Sequence, residues 1–518
     1  MYGTMDAMGL VASPANASAA DIARFGYKLP PRPGKFLEGR GNKSVIVIGA
    51  GIAGLTAAYE LAQAGYKVTV LEARQRTGGR NWTARQGTTE TDLDGVTQRA
   101  GFTHGEYMNM GPARLAQHMI TVDYCRELGV PLEVFTNQNA DGYYFNENVG
   151  ALSSKPVRHR TAKADYYGYI SELLAKALDQ GALDQTVTAD DKARIIAFLR
   201  NFGAIGTQAQ GYAYTGGSRR GYDETPGIGP GTVSSPPPSL TDLFQSALGN
   251  NFSFEFGWDQ AMLMFQPVGG MDQIVKGFER ALLRLWPRVS LTLNAPLQEI
   301  KNTPDGVEVV VSRSGVPRSY SADYCVCTVP PQILKSIPSN FSPETMAALA
   351  YPSIAATGKL GLQYGRRWWE EDENIMGGIT NTNMDLGTIW YPSSGFLGRR
   401  GVVVGYYNFG AAATAYGDLS PADRLSRAIE QGKKIHGENY GQNIEASFSV
   451  AWQKTRYSEG GWVNWPSRTN GQYETLLKGD GQVYFAGDHL SYYTSWQSGA
   501  IEAARYAIKS LHTRVLAP

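Results

Sequence analysis

The most informative hydrophobic pattern begins at Ser44. Residues 44–48 (SVIVI) form a short β-branched apolar run without polar alternation, as expected of a strand covered on both faces. Gly49-Ala-Gly-Ile-Ala-Gly54 breaks the run, and LTAAYELAQAG then carries apolar residues at helical spacing until Gly65. KVTVLE follows as a second strand ending in Glu72, so the segment predicts a strand, a glycine turn, a helix and a strand. Residues 1–42, punctuated by proline and glycine, predict a lead-in with one short helix around Ala19–Arg24.

Helical periodicity returns from Thr161 to about Leu199, most clearly in ISELLAKAL and KARIIAFLR. Residues 211–239 are rich in Gly, Pro and Ser and lack any period, which predicts a long mobile loop; an inert surface excursion fits that composition equally well. Strand patterns recur in VSLTLNAPLQEIK, GVEVVVS, ADYCVC, KLGLQYG, GTIWYP, GVVVGYY and ASFSVAWQ. Near the C-terminus QVYFAG predicts a strand, followed by a helix with Ile501, Ala504, Ile508 and Leu511 on one stripe.

Composition narrows the classes. The 518 residues include 48 Lys plus Arg and 47 Asp plus Glu, so no surplus of positive charge is available for a nucleic-acid backbone. With 42% hydrophobic and 18% charged residues the chain is an ordinary globular one, and its length predicts two or three domains. Cys125, Cys325 and Cys327 cannot all pair with one another, and neither they nor the six histidines show metal-ligand spacing, so free buried thiols and no metal are expected. No basic start with a sustained apolar core and no run near the ~20 apolar residues of a membrane span is visible, which makes a cytoplasmic location the expectation.

The chemistry starts at the glycine turn. Gly49, Gly51 and Gly54 fit G-x-G-x-x-G between a strand and a helix, with an acid, Glu72, about 20 residues further on at the end of the next strand. Gly49 permits the turn, Gly51 lets the backbone approach a pyrophosphate, and Gly54 lets helix and strand pack closely. The helix N-terminus supplies free N–H donors for phosphate, and Glu72 suits ribose hydroxyls while repelling a 2′-phosphate. Gly78-Gly79-Arg80 then brings a second flexible turn and a cation toward the same place, although an ordinary surface arginine is the alternative for Arg80. At the far end YFAGDHLSYYTSWQSGA sets a strand, a Gly-Asp turn and a small-residue helix start where a second cofactor contact can form.

At these residues the chain resembles the flavin-containing amine oxidase family, and within it the L-amino acid oxidases. The likeness is carried by VIVIGAGIAGL, VLEARQRTGGR, MGPARL, GKLGL, GVVVGYY and YFAGDHLSYYTSW. It implies an α/β, amine-oxidase-like fold: a discontinuous Rossmann-like FAD-binding domain, a mixed-sheet substrate domain and a helical insertion. The implied division is a lead-in at 1–42, FAD-binding segments at 43–115, 266–335 and 466–518, a helical and substrate insertion at 116–265, and a substrate-binding domain at 336–465. FAD contacts are implied for Gly49, Gly51, Ala53, Gly54, Glu72, Ala73, Gly79, Arg80, Gly111, Pro112, Ala113, Gly487, Asp488, Trp496 and Gln497. The C-terminal segment lacks the cysteine of the covalent-flavin subgroup, so the FAD is expected to be non-covalent.

The same resemblance implies five substrate-site residues. Arg114 matches the arginine that clamps a substrate carboxylate, a task suited to a planar guanidinium with two parallel donors. Tyr406 matches the tyrosine that offers that carboxylate a hydroxyl; Tyr407 would point to the opposite strand face, so an error of one residue exchanges the two. Trp390 and Trp496 match aromatic walls beside the flavin, and Lys359 the lysine that holds a water at flavin N5. The implied activity is FAD-dependent oxidation of L-amino acids, with large apolar or aromatic side chains favoured. Products would be 2-oxo acid, ammonia and hydrogen peroxide. An L-tryptophan 2-monooxygenase-like enzyme or an amine or polyamine oxidase are the alternatives. The implied partners are the amino acid and oxygen, with no nucleic acid or membrane; a homodimer or higher homo-oligomer is an open possibility.

Overall fold

The structure, a computed structural model, describes residues 33–260 and 263–517; the helix expected around Ala19–Arg24 lies outside the described residues. Its first layer is a five-stranded parallel sheet built from distant parts of the chain. The strands are β1 (Ser44–Ile48), β2 (Lys67–Leu71), β3 (Val289–Thr292), β4 (Tyr324–Cys327) and β5 (Val483–Phe485), in the spatial order β3-β2-β1-β4-β5.

Residues in β1 point alternately to two apolar cores, which explains the unbroken SVIVI run. Val45 and Val47 face α1 (Ile52–Gln63) and α2 (Gln497–Leu516), whose Leu55, Ala58, Ile501 and Ile508 fill one core. Ile46 and Ile48 face the other core, closed by the antiparallel strands Leu297–Thr303, Gly306–Arg313 and Val316–Ala322 and by the helices Pro343–Ala350 and Gln472–Lys478. The stripe Ile501, Ala504, Ile508 and Leu511 is buried, as its periodicity predicts, and the three cysteines are buried free thiols.

A seven-stranded sheet makes the second layer. Its order is Val157–Arg158, Tyr143–Phe145, Gly378–Thr382, Thr388–Tyr391, Gly401–Phe409, Thr357–Tyr364 and Ile444–Ala451, antiparallel except for the parallel pairing of Tyr143–Phe145 with Gly378–Thr382. A third element of the fold is the helical pair His159–Asp179 and Ala189–Phe202, whose facing residues Ala175, Leu178 and Leu199 form a separate core.

The periodicity from Thr161 to Leu199 therefore covers two helices. They are split where Gly181 takes φ +79°, and Thr188 caps the second by accepting the Asp191 N–H at 3.1 Å. The stretch 211–239 also differs from an unpatterned loop. Tyr222–Glu224 pairs with Thr232–Val233, and Arg220 at its base is fixed to the buried Asp165 carboxylate at 2.7 Å. Tyr212, Tyr214 and Arg220 are buried, while residues 223–230 are open to solvent. Among the described residues no helix is long and apolar enough to cross a membrane.

Candidate active site

A cavity of about 500 Å³ opens at the C-terminal ends of β1, β2, β4 and β5, where the parallel strands deliver their loops. Each glycine of the first turn does something different there. Gly49 takes φ +95°, and a Cβ on it would lie 2.3 Å from the Thr328 hydroxyl. A Cβ on Gly54 would lie 1.9 Å from the Gly49 carbonyl oxygen, so only glycine lets α1 approach β1 this closely. A Cβ on Gly51 would meet nothing within 4 Å, since this residue faces the open cavity. Gly51 also caps α1 without a side-chain hydrogen bond, which leaves the N–H groups of the first turn directed to the cavity.

Glu72 is buried beside that turn. Its Oε2 accepts the Ala50 N–H at 2.7 Å and its Oε1 the Arg74 N–H at 2.8 Å, so the carboxylate is rigidly aimed along the cavity rim. Ala53, Ala73, Gly79, Arg80, Gly111 and Pro112 line the cavity as well. Arg80 does so as half of an ion pair with Asp488 and also donates to the Gly461 carbonyl, so it is held in place rather than free. Burial pushes the Asp488 carboxyl up, but Arg80 outweighs it and holds this group below the usual carboxylate range.

The opposite wall comes from the C-terminal motif. Gly487, Asp488, Trp496 and Gln497 line it, and Trp496 stands at the N-cap of α2, so a second helix N-terminus opens on the same space. Asn81 Nδ2 donates to Gln497 Oε1 at 2.7 Å, while Asn81 Oδ1 and Gln497 Nε2 are buried without a partner.

At one end the cavity narrows between aromatic rings. Trp390, Trp496, Tyr407 and Ala113 meet in one apolar cluster, in which Trp496 and Tyr407 line the cavity while Trp390 and Ala113 stand behind the lining. Lys359 is buried, donates to the Gly111 carbonyl and sits 4.3 Å from the centroid of the Tyr407 ring. Burial, helped by the nearby Arg114 charge, pulls this amine down to about 7.

Arg114 is 7% exposed, and its Nε and Nη1 have no hydrogen-bond partner. Its guanidinium carbon lies 4.7 Å from the Trp390 ring, 5.3 Å from Phe254 and 5.9 Å from Trp496. Burial pulls it down to about 10, so it remains a cation at neutral pH.

Arg114, Trp390 and Ala113 stand behind the cavity lining, and Tyr406 lies outside the site altogether. Its side chain lies in the core on the far face of its strand, against Tyr416, and the residue that stands beside Lys359, Trp390 and Arg114 is Tyr407. Lys359 pairs with Tyr407 and Leu360 with Tyr406, but Gly361 pairs with Val404, so Gly405 is bulged out of register. Val404 and Tyr407 therefore share the cavity face, which plain alternation along GVVVGYY does not predict.

The profile of the family described as flavin containing amine oxidoreductase matches residues 52–507. The chain belongs to this family. An L-amino acid oxidase of Crotalus durissus cumanensis is 26% identical over 510 residues, spanning 95% of this chain and 93% of that one. An L-amino-acid oxidase of Notechis scutatus scutatus is 27% identical over 506 residues, spanning 95% and 89%. A solved putrescine oxidase variant shares the fold, with a TM-score of 0.60 at 17% identity over 92% of this chain and all of that one.

Membership implies an FAD cofactor for this amine oxidoreductase, and the residues fit it. The trough offers two helix N-termini, a glycine whose missing side chain leaves room, a fixed carboxylate and orphaned amide atoms at Asn81 and Gln497. Several site residues escape the sequence reading. Trp452 and Trp462 line the trough, the former donating to the Met110 carbonyl at 3.0 Å, yet in sequence each looks like any strand tryptophan. Phe254 and the buried Asp259 come from the segment at 248–260 and carry no recognisable signal. Asp259 Oδ2 accepts the Trp496 indole N–H at 3.1 Å.

Proposed function

We propose that this amine oxidoreductase oxidises L-amino acids to 2-oxo acid and ammonia while reducing oxygen to hydrogen peroxide. The observation that carries the reading is the Arg114 guanidinium, buried in an aromatic box with two donors unused. A buried cation with unsatisfied N–H groups costs stability unless a ligand completes it, and a carboxylate does so bidentately. A simple amine has no group for this position. The near-full-length similarity to proteins named L-amino acid oxidases supports the same substrate class.

FAD, when bound, supplies the acceptor for the hydride that leaves the substrate Cα and passes the electrons to oxygen. The chain's own residues bind and orient. Arg114 fixes the carboxylate, and Tyr407 offers a phenolic donor from the neighbouring strand. Trp390 and Trp496 exclude water and confine the Cα–H to one direction, a positioning effect that lowers the barrier by fixing the reactants. Their apolar walls also favour the neutral amine. Lys359, with an amine near neutrality, holds or releases a proton at its Nζ around physiological pH. Among the described residues no cysteine lines the trough, and the reading takes the FAD as non-covalent. The imino acid is hydrolysed by water after it leaves.

Anaerobic titration of the holoenzyme with the twenty L-amino acids and with primary amines such as putrescine tests the reading. Bleaching of the flavin by L-amino acids, with one peroxide per 2-oxo acid in air, is expected. Bleaching by amines alone overturns it, and a carboxamide product assigns the enzyme to the monooxygenases instead.

A further inference from the structure

Two opposite charges are buried at the substrate end and kept apart. Asp259 is 0% exposed and Arg114 7%, and among the described residues no ion pair joins them. Both touch the same indole: the Arg114 guanidinium carbon lies 5.9 Å from the Trp496 ring, and Asp259 Oδ2 accepts that ring's N–H at 3.1 Å. Both have spare hydrogen-bonding capacity, because Asp259 Oδ1, like Arg114 Nε and Nη1, has no partner of good geometry. Gln260 lies beside the carboxylate and helps hold it down, yet its Nε2 is itself unpaired. Asn137, 3.4 Å from Gln260, leaves its Oδ1 unused too.

Burying a charge without a partner is costly, and a carboxylate that only needed to hold Trp496 could be a neutral amide. Fixed, separated, partly unpaired charges of opposite sign instead complement a ligand that carries an anion at one end and a cation at the other. The same field repels a ligand with a second anion. The Asp259 carboxyl is pushed up by burial and pulled back chiefly by Arg114. Around it Tyr493 and the Trp496 indole are the other polar side chains that feel or meet it.

We propose that Asp259 determines side-chain specificity, favouring L-amino acids with a cationic side chain and excluding acidic ones. The inference rests on the amino acid oxidase reading and on Arg114 receiving the α-carboxylate. Arg114 and Asp259 flank the same Trp496 indole, so a substrate whose α-carboxylate Arg114 holds lies beside the ring that Asp259 anchors.

The test compares kcat/KM for L-lysine, L-norleucine and L-glutamate at pH 8 in the wild-type holoenzyme and in Asp259→Asn, which keeps an acceptor for the Trp496 N–H. The lysine-to-norleucine ratio is expected to fall at least fivefold and the glutamate-to-norleucine ratio to rise; a lysine ratio within fivefold of wild type overturns the proposal. Should that variant fail to fold, binding of 6-aminohexanoate, hexanoate and adipate to wild-type protein, followed by flavin absorbance, decides it. Affinity is expected in that order, and equal or reversed affinities overturn it. Bleaching by norleucine keeps the oxidase reading alive whatever the ratios do, whereas a flavin that no L-amino acid bleaches sinks that reading and this inference with it.

Discussion

Replacing Arg114 by methionine removes the guanidinium but keeps an unbranched side chain of similar reach. In the complex two charge-assisted hydrogen bonds are lost, each contributing about 1.5–3 kcal/mol, so kcat/KM for L-amino acids should fall by roughly 10²–10⁴-fold. In the substrate-free protein the effects oppose one another. Nε and Nη1 are buried and unpaired, and each such group costs about 1–3 kcal/mol. Against this stand the ring contacts to Trp390, Phe254 and Trp496, together contributing about 0.5–2 kcal/mol, and the compensation Arg114 gives Asp259. Because the loss of that compensation offsets the relief of the unpaired donors, thermal stability without substrate should stay within about 2 kcal/mol of wild type. Flavin occupancy should be unchanged, since Arg114 does not line the trough. Steady-state kinetics, the ratio of flavin to protein absorbance, and thermal melts with and without amino acid measure all three. Wild-type kcat/KM, or a loss of more than about 2 kcal/mol of stability, would show that the guanidinium is a structural ion and refute the argument.

Further predictions concern neighbouring residues. Tyr407→Phe should raise KM by roughly 10–150-fold through loss of one charge-assisted bond, while Tyr406→Phe should leave kinetics alone and cost about 1 kcal/mol of stability; the opposite assignment of effects would restore Tyr406 to the site. Lys359 binds its proton less tightly folded than unfolded. Wild-type stability should therefore rise between about pH 7 and pH 10, by an amount on the order of 4 kcal/mol, while the full cost of burying the charged amine persists below pH 7. Lys359→Met should flatten that rise in melts recorded across the same range, and identical slopes in the two proteins would rule the buried amine out as its source. Gly51→Ala should fold normally yet lose FAD occupancy, whereas Gly54→Ala, whose Cβ meets the Gly49 carbonyl, should fail to fold; an FAD-replete Gly51→Ala protein would contradict the assigned cradle.

Much of this was legible because the physics is local. The β1–α1–β2 unit announces itself through a both-faces-buried strand, three glycines with distinct steric duties and an acid at the next strand end. Tyr406 was matched by motif with Tyr407 one residue away, and which of the two faces the site depends on a local feature that leaves no mark in composition. The bulge at Gly405 adds one residue to one strand of a pair, and every side chain beyond it changes face. Phe254 and Asp259 were invisible for a different reason. They reach the site from the segment at 248–260, whose packing is decided by tertiary contacts, and a lone acid after a tryptophan has no period or spacing to betray it.

The parallel sheet draws its strands from residues 44–71, 289–327 and 483–485, and α2 follows the last of these. During synthesis, then, the cofactor cradle cannot close until residues 483–497 have left the ribosome, because Gly487, Asp488, Trp496 and Gln497 follow its other parts in the chain. Until that moment β4 presents an unpaired edge where β5 will dock, and the apolar face of α1 waits for α2. Termination before residue 483 should therefore yield an aggregation-prone, colourless polypeptide in place of a shortened enzyme, and flavin supply during expression should govern how much product survives.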